Sequence, residues 1–193
     1  MAHPPDQYQS RPDDLSNAAV QLLPGGIPCR IRQLGPGDRR LVSDMYAALS
    51  DRSRRDRFQT SPPQLPENYL RLLVDDVDQT DHVALLALVP AGSQAERPVG
   101  VGRIVRYRSA PASADIAVTV VDAWQRRGVG LALARLLVRR RPSGVSRLVT
   151  TVSADNAAAL ALLARLGTVA LVADGHGTYE VTVELPSPVA SQE

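Results

Sequence analysis

The sequence contains no lysine. All 22 of its basic residues are arginine, so every cation keeps its charge at physiological pH and offers a planar fork suited to phosphates and carboxylates. Cysteine is nearly absent too. Cys29 stands alone, which excludes an internal disulfide and gives a reducing, cytoplasmic setting as the expectation. Aromatics make up only 4%, so a core has to be built from Leu, Val, Ile and Ala. The longest apolar run, Val83 to Val89, is far short of a membrane span. The first residues carry Asp6, Asp13 and Asp14 with no apolar stretch, unlike a signal peptide. No membrane association is therefore expected. His82 and His176 have no metal-ligand spacing around them, so no metal site is expected either. A net charge of +2 is too small to argue for nucleic acid, and none is expected as a partner.

What is present is one domain's worth of chain, 193 residues with 44% hydrophobic and 22% charged, ordinary for a globular fold. Residues 1–26, rich in Pro, Asp, Gln and Ser, read as a flexible arm, although 20–23 could lie against the domain. Residues 186–193 read as a short tail, leaving 27–185 as the domain. Charge is unevenly spread. Asp75, Asp76, Asp78 and Asp81 cluster with no base among them, whereas 123–147 holds seven arginines and no acid. That contrast points to a site handling two differently charged species, though such runs are commonly solvated loop.

Periodicity orders the elements. Strands are expected from Ile27, at 82–89, 98–107, 114–121, 147–152, 169–172 and 178–185; helices at 41–49, over part of 50–58, after Pro66, at 128–141 and at 156–166. Asp38 is an N-cap candidate for the first helix. The helix from Gly128 is the strongest, with Val129, Leu133, Leu136 and Leu137 on one face and Arg139, Arg140 and Arg141 at the negative end of its dipole.

The informative junction is where the strand 114–121 runs through Gln125-Arg126-Arg127-Gly128-Val129-Gly130 into that helix. A helix start offers unpaired N–H groups and a positive dipole end. Gly128 and Gly130 let backbone approach a bulky anion, and Arg126 and Arg127 add charge. The arrangement suits a pyrophosphate. It is not a dinucleotide fingerprint, because Leu133 stands where a third glycine belongs, and without lysine it is no Walker loop.

These residues resemble the GNAT superfamily of acyl-CoA-dependent N-acyltransferases. Gln125, Gly128 and Gly130 stand where that family's cofactor loop has its Gln/Arg and two glycines. Downstream, Asn156-Ala-Ala-Ala-Leu-Ala-Leu-Leu-Ala-Arg-Leu-Gly167 resembles its Asn-x-x-Ala-x-x-Leu-Tyr-x-x-x-Gly-Phe helix. Leu163 replaces the tyrosine that can protonate the leaving thiolate, and Thr168 the final aromatic. Ser113-Ala-Asp-Ile-Ala-Val118 resembles the Ala-Glu-Val-Ala stretch of bacterial protein-lysine acetyltransferases. Leu49, Ser50, Ser53, Arg57 and Phe58 match their Leu-Ser-x-x-Ser-x-x-x-Arg-Phe stretch. Proteins of that subgroup often carry an additional sensing or synthetase-like domain, for which this chain is too short.

The resemblance implies an α/β fold of the α+β type: a mixed, mostly antiparallel sheet of about six to seven strands, splayed at the cofactor site and flanked by about four helices. It implies acetyl-CoA, or another acyl-CoA, as co-substrate. The pantetheine arm would pair with backbone near Val120 and Val121. The pyrophosphate would meet amides from Arg126, Arg127, Gly128, Val129, Gly130 and Leu131, with Asn156 reaching the same ligand or serving as a plain N-cap. Asp115 is the candidate base, the alternative being an edge-of-strand aspartate with no role in catalysis. Tyr107 and Tyr179 are candidate acids. The expected reaction moves an acetyl group to a primary amine, a protein lysine or a small amine, by direct attack in a ternary complex; the chain's own side chains offer no such amine. A homodimer is compatible with the family. The second hypothesis, motivated by Leu163 and Asp115, is an acyl-CoA sensor with little or no turnover.

Overall fold

The computed structural model describes residues 18–58, 62–92 and 95–187. An eight-stranded sheet organises them, in the order β1-β2-β3-β4-β5-β6-β8-β7. The strands are β1 (Ala19–Leu23), β2 (Ile27–Gln33), β3 (His82–Pro90), β4 (Glu96–Tyr107), β5 (Ala110–Val120), β6 (Arg147–Ser153), β7 (Thr168–Ala173) and β8 (Thr178–Glu184). Five α-helices accompany them: α1 (Arg39–Ala47), α2 (Asp51–Phe58), α3 (Glu67–Leu70), α4 (Val129–Arg139) and α5 (Ala157–Leu163). Every neighbouring pair is antiparallel except β5–β6. The α+β architecture is as expected, with one strand and one helix more than the estimate.

The additional strand lies within the segment read as an arm, of which 20–23 were expected to be able to lie against the domain. Ala19–Leu23 pairs with Ile27–Ile31 across a Pro24-Gly25-Gly26 turn, and Leu23 is buried. A hairpin buries one apolar side chain in two, which a composition-based reading of 1–26 as an arm misses. Residues 1–17 of that arm and 188–193 of the tail lie outside the described residues.

β3 explains the centre of the molecule. His82 to Val89 is buried at every position, because both faces of the sheet are covered there. On one face, Leu85, Ala87, Ile104 and Ile116 meet Val129, Leu133 and Leu137 of α4. On the other, Ala84, Leu86, Leu88 and Val101 meet Leu41, Val42 and Met45 of α1 and Leu73 and Val74. Fully burying each such aliphatic chain contributes about 1.5–3 kcal/mol.

Asp38 precedes α1 as expected but does not cap it. Its carboxylate is buried in a bidentate pair with Arg32, at 2.7 Å for each bond, and accepts from the Gly35 N–H at 2.9 Å. An arginine on β2 outcompetes the helix amides because the paired, charged fork offers two strong bonds at once.

Gly167 ends the α5 segment in intimate contact with β8. A Cβ there would lie 2.0 Å from the Glu184 carbonyl oxygen, so β7 and β8 must separate to admit one. Gly167→Ala is expected to destabilise the protein by about 2–4 kcal/mol, read from the midpoint of a urea unfolding curve.

Candidate active site

β5 and β6 lie parallel for only two rungs, Ser113–Arg147 and Ala114–Leu148. Beyond them β5 continues to Val120 and β6 to Ser153, and the strands diverge. Two side chains span the opening at its narrow end. Thr150 Oγ1 donates to the Ile116 carbonyl at 3.4 Å, and the Tyr107 hydroxyl donates to the Val149 carbonyl at 3.0 Å. The Val121 N–H donates to Val99 across β4. Since peptide groups alternate sides along a strand, Val118 and Val120 turn theirs into the gap. The Val120 carbonyl is engaged by Gln125, while the N–H of Val121, the other residue the sequence suggested, is taken by Val99.

At the wide end the chain makes a short 3₁₀ turn, Asp122–Trp124, then enters α4. Arg126 (φ +58°) and Gly128 (φ +86°) are both left-handed, which curls successive amides toward one side. The first intrahelical bond runs from Ala132 N–H to Gly128, leaving the amides of Val129, Gly130 and Leu131 without intrahelical partners. Those amides and the dipole make an anion cradle. At Gly130 a Cβ would stand in ordinary contact, 3.6 Å from Val120 and 3.9 Å from Val118. Internal packing does not demand glycine there, and its lack of a side chain leaves the backbone bare beside the β5 edge.

The cradle is pinned from the opposite side of the sheet. Asp122 accepts from the Ser50 N–H (2.9 Å), Ser50 Oγ (2.7 Å) and Ser53 Oγ (2.9 Å). Burial raises its carboxyl, yet these bonds outweigh it and hold the group below the usual range. Gln125 Nε2 donates to Ser53 Oγ and to the Val120 carbonyl, both at 3.1 Å. Ser50 also caps α2, accepting from the Ser53 N–H at 3.2 Å. The Ser-x-x-Ser spacing noted in the sequence thus ties α2 to the cofactor loop. Asp122, its partner, was not singled out. Its position next to a strand end facing two serines is visible only once the chain is folded.

Other expected residues fall as follows. Arg126 is exposed at the cradle. Arg127 is too, but its guanidinium stacks 5.1 Å from the centre of the Trp124 ring, whose other neighbour, Arg97, lies at 5.5 Å. Asn156 caps α5, its Oδ1 accepting from the Ala159 N–H at 3.0 Å. Leu163 is buried at 5% exposure, a core residue where a hydroxyl would be wasted. Three of the four acids of the acidic loop are engaged within the protein. Asp75 pairs with Arg39, Asp81 with Arg106 at 2.8 Å, and Asp78 accepts from the amides of Thr80, Asp81 and His82.

Asp115 is the first β5 residue beyond the last rung. It lies opposite Val105, on the sheet face that carries Arg103 and the α1–α3 layer. Among the described residues no hydrogen bond or ion pair engages its carboxylate. Tyr107 is near; burial raises its hydroxyl's pKa, and the charges of Asp115 and Glu180 raise it further. Tyr179 packs against the α4 core on the other face. Among the described residues no group of three His, Cys, Asp or Glu could hold a metal ion.

Residues 46–168, more than half of the chain, match the model of the Acetyltransferase (GNAT) family. The chain belongs to the GNAT acetyltransferases. Members catalyse acetyl-CoA-dependent acyl transfer, and this chain is an acetyl-CoA-dependent N-acetyltransferase. Its fold is shared with the GNAT domain of S. lividans PAT at 24% identity and TM-score 0.75, covering 87% of this chain and 97% of that one. A putative acetyltransferase from Salmonella typhimurium, solved with its cofactor acetyl-CoA, matches at 19% identity and TM-score 0.62, covering 84% and 98%. The cAMP-binding acyltransferase from Mycobacterium smegmatis matches at 25% identity and TM-score 0.58; this chain is covered to 89% but spans only 48% of that protein. Among the described residues of this acetyltransferase, no helix is long and apolar enough to cross a membrane.

The Asp122 tie has a pH signature. Its folded pKa is depressed, so its contribution is complete above the unfolded value near ~3.9 and is lost as pH falls through the lower folded value. Asp122→Ala is expected to cost about 1 kcal/mol at pH 7, allowing for exposure of the site. The deficit should shrink toward pH 2–3 in urea unfolding of the two proteins.

Proposed function

We propose that this acetyltransferase moves the acetyl group to a primary amine, a protein lysine in the reading we favour, by direct attack within a ternary complex. The observation that carries the reaction chemistry is the position of Asp115. A carboxylate without a hydrogen-bond partner marks the narrow end of the β5–β6 opening, and an anion cradle marks the wide end. The exposed strand edge between Asp115 and Val120 is ~17 Å long, which suits a substrate whose phosphates and reactive group are far apart.

Acetyl-CoA supplies the thioester when bound. Amides from Arg126 to Leu131 would hold its pyrophosphate, the peptide groups of Val118 and Val120 its pantetheine arm, and Asn156 contributes through the α5 start it caps. An alkylammonium has a pKa of ~10.4, so freeing its lone pair at pH 7 costs about 4.6 kcal/mol. Asp115 takes that proton, through one water because aspartate is a methylene shorter than the glutamate found in the resembling stretch. The new N–C bond forms as the C–S bond breaks. Tyr107, kept protonated by its surroundings and now donating to the Val149 carbonyl, would return a proton to the thiolate; Leu163 has none to give. Buried Cys29, its thiol pushed up to about 11 chiefly by burial, does not act as a nucleophile. The lysine acceptor is supported by the Leu49-to-Phe58 and Ser113-to-Val118 stretches and by the likeness to S. lividans PAT.

Two measurements test this reading. Acetyl-CoA at ~100 times its dissociation constant should stabilise the protein by about 2.7 kcal/mol, several degrees in a melt; no shift at millimolar ligand removes the cofactor site. Asp115→Asn should lower kcat by ~10²–10³ while leaving that thermal shift intact. A protein that binds acetyl-CoA, modifies no amine and is indifferent to Asp115→Asn would instead be the sensor that Leu163 brings to mind.

A further inference from the structure

The face that carries Asp115 also carries two guanidinium groups that the reaction as written does not use. Arg103 lies two strand positions from Val105, opposite Ala117 on β5, and is 5% exposed. Its Nη1 faces His82 Nε2 at 3.3 Å, and its Nη2 donates to the Leu73 carbonyl at 3.3 Å. Among the described residues no carboxylate comes within ion-pair distance. His82 offers no compensation, since burial and the Arg103 charge both hold it below its ordinary pKa. Arg57, in the last turn of α2, is half-buried with its guanidinium 5.1 Å from the centre of the Phe58 ring. Among the described residues it makes no hydrogen bond and no ion pair. Three of the four loop acids are committed elsewhere, Asp75 to Arg39, Asp81 to Arg106 and Asp78 to backbone amides, while Asp76 acts on His82.

Asp115 is the diagonal neighbour of Arg103 across the β4–β5 ladder, on the same sheet face, and its charge favours the protonated form of both arginines. Burial draws Arg103 down to about 9, with Arg57 repelling it and Asp115 opposing the shift. Two guanidinium groups therefore share one carboxylate beside β5, and one of them, Arg103, is buried. A buried cation with no matched anion is strongly disfavoured, and protein interiors rarely tolerate one without a partner for it. Arginine is also the residue whose fork matches a carboxylate.

We propose that Arg57, backed by Arg103, forms an anion subsite on the acceptor side of the reaction centre, and that one of the two substrates brings a carboxylate to it. The carboxylate arrives either on the acyl chain of the donor, as in succinyl-CoA, or on the acceptor amine, as in a free amino acid. This rests on the acyl-transfer reading above and narrows its substrate class. Arg103 is the positioning member, fixed by Leu73 and His82; Arg57 is the free one that touches the ligand.

The test has two arms. In the first, acetyl-CoA and succinyl-CoA compete for one amine without a carboxylate, N-acetyl-lysine methylamide. In the second, acetyl-CoA is the sole donor, and free lysine is compared with lysine methyl ester. A charge-assisted pair lost or gained should appear as a ~10-fold or larger preference in kcat/KM for the carboxylate-bearing partner in one arm. The arm that shows it identifies the source. Arg57→Gln should bring that ratio close to one and Arg57→Lys should restore part of it, which a purely structural residue would not do. Because Arg57→Gln could also impair folding, the wild-type ratios decide by themselves. Ratios within twofold in both arms, with acetyl transfer present, overturn the subsite and leave the acetyltransferase reading standing. Absence of both acetyl-CoA binding and turnover overturns both.

Discussion

A parallel pair of strands normally continues its ladder for as long as both strands last, because every unpaired N–H and C=O otherwise has to find water or another partner. Here β5 and β6 stop after Ala114–Leu148, and the functional architecture depends on that interruption. The halves of the sheet are held together by a shared core, in which Leu148, Val152, Val181 and Val183 of β6 and β8 join the α4 cluster. β2 to β5 are clamped between α4 and the α1–α3 layer, while β6, β8 and β7 form an antiparallel set of their own. With one core running beneath both halves, the ladder can end early without the sheet falling apart. The vacated edge then becomes a place for a ligand's backbone-like amides.

Keeping such an opening at a fixed width needs ties at both ends. Thr150 and Tyr107 bridge it beside the last rung. At the far end, Gln125 returns to the Val120 carbonyl, and Asp122 gathers three donors from the start of α2. The acceptor-side helix and the anion cradle are thereby parts of one hydrogen-bonded unit. A change that reorients α2 also moves the loop in front of α4, and the electrostatic environment of Asp115 moves with Arg57.

Much of this was legible in the chain. The apolar run of β3, the face of α4 and the Gln125-to-Gly130 pattern identify elements whose periodicity is strong because they are buried on one or both sides. Strands β3 to β8 fall within a few residues of expectation for that reason. β1 was not legible, since only Leu23 of its outer positions is buried and its neighbours are a proline and two glycines. The charged groups were legible as residue types and not as partners. Asp38 looked like a cap and is half of an ion pair; Asp75 to Asp81 looked like a patch and is a set of internal bonds; Val121 looked available and is paired with Val99. Each of these outcomes depends on a residue far away in the chain, and local pattern carries no information about which of several competing donors wins.

Trp124 is the only tryptophan in the protein. It is buried at 8% exposure in the turn that leads into α4, and guanidinium groups lie on it from Arg97 and from Arg127. Any anion that settles in the adjacent cradle competes for the Arg127 charge and alters the field across the indole. The protein therefore carries its own optical probe of the cradle, free of background from other indoles. Its emission would follow loading of the site in real time, before any acceptor is known.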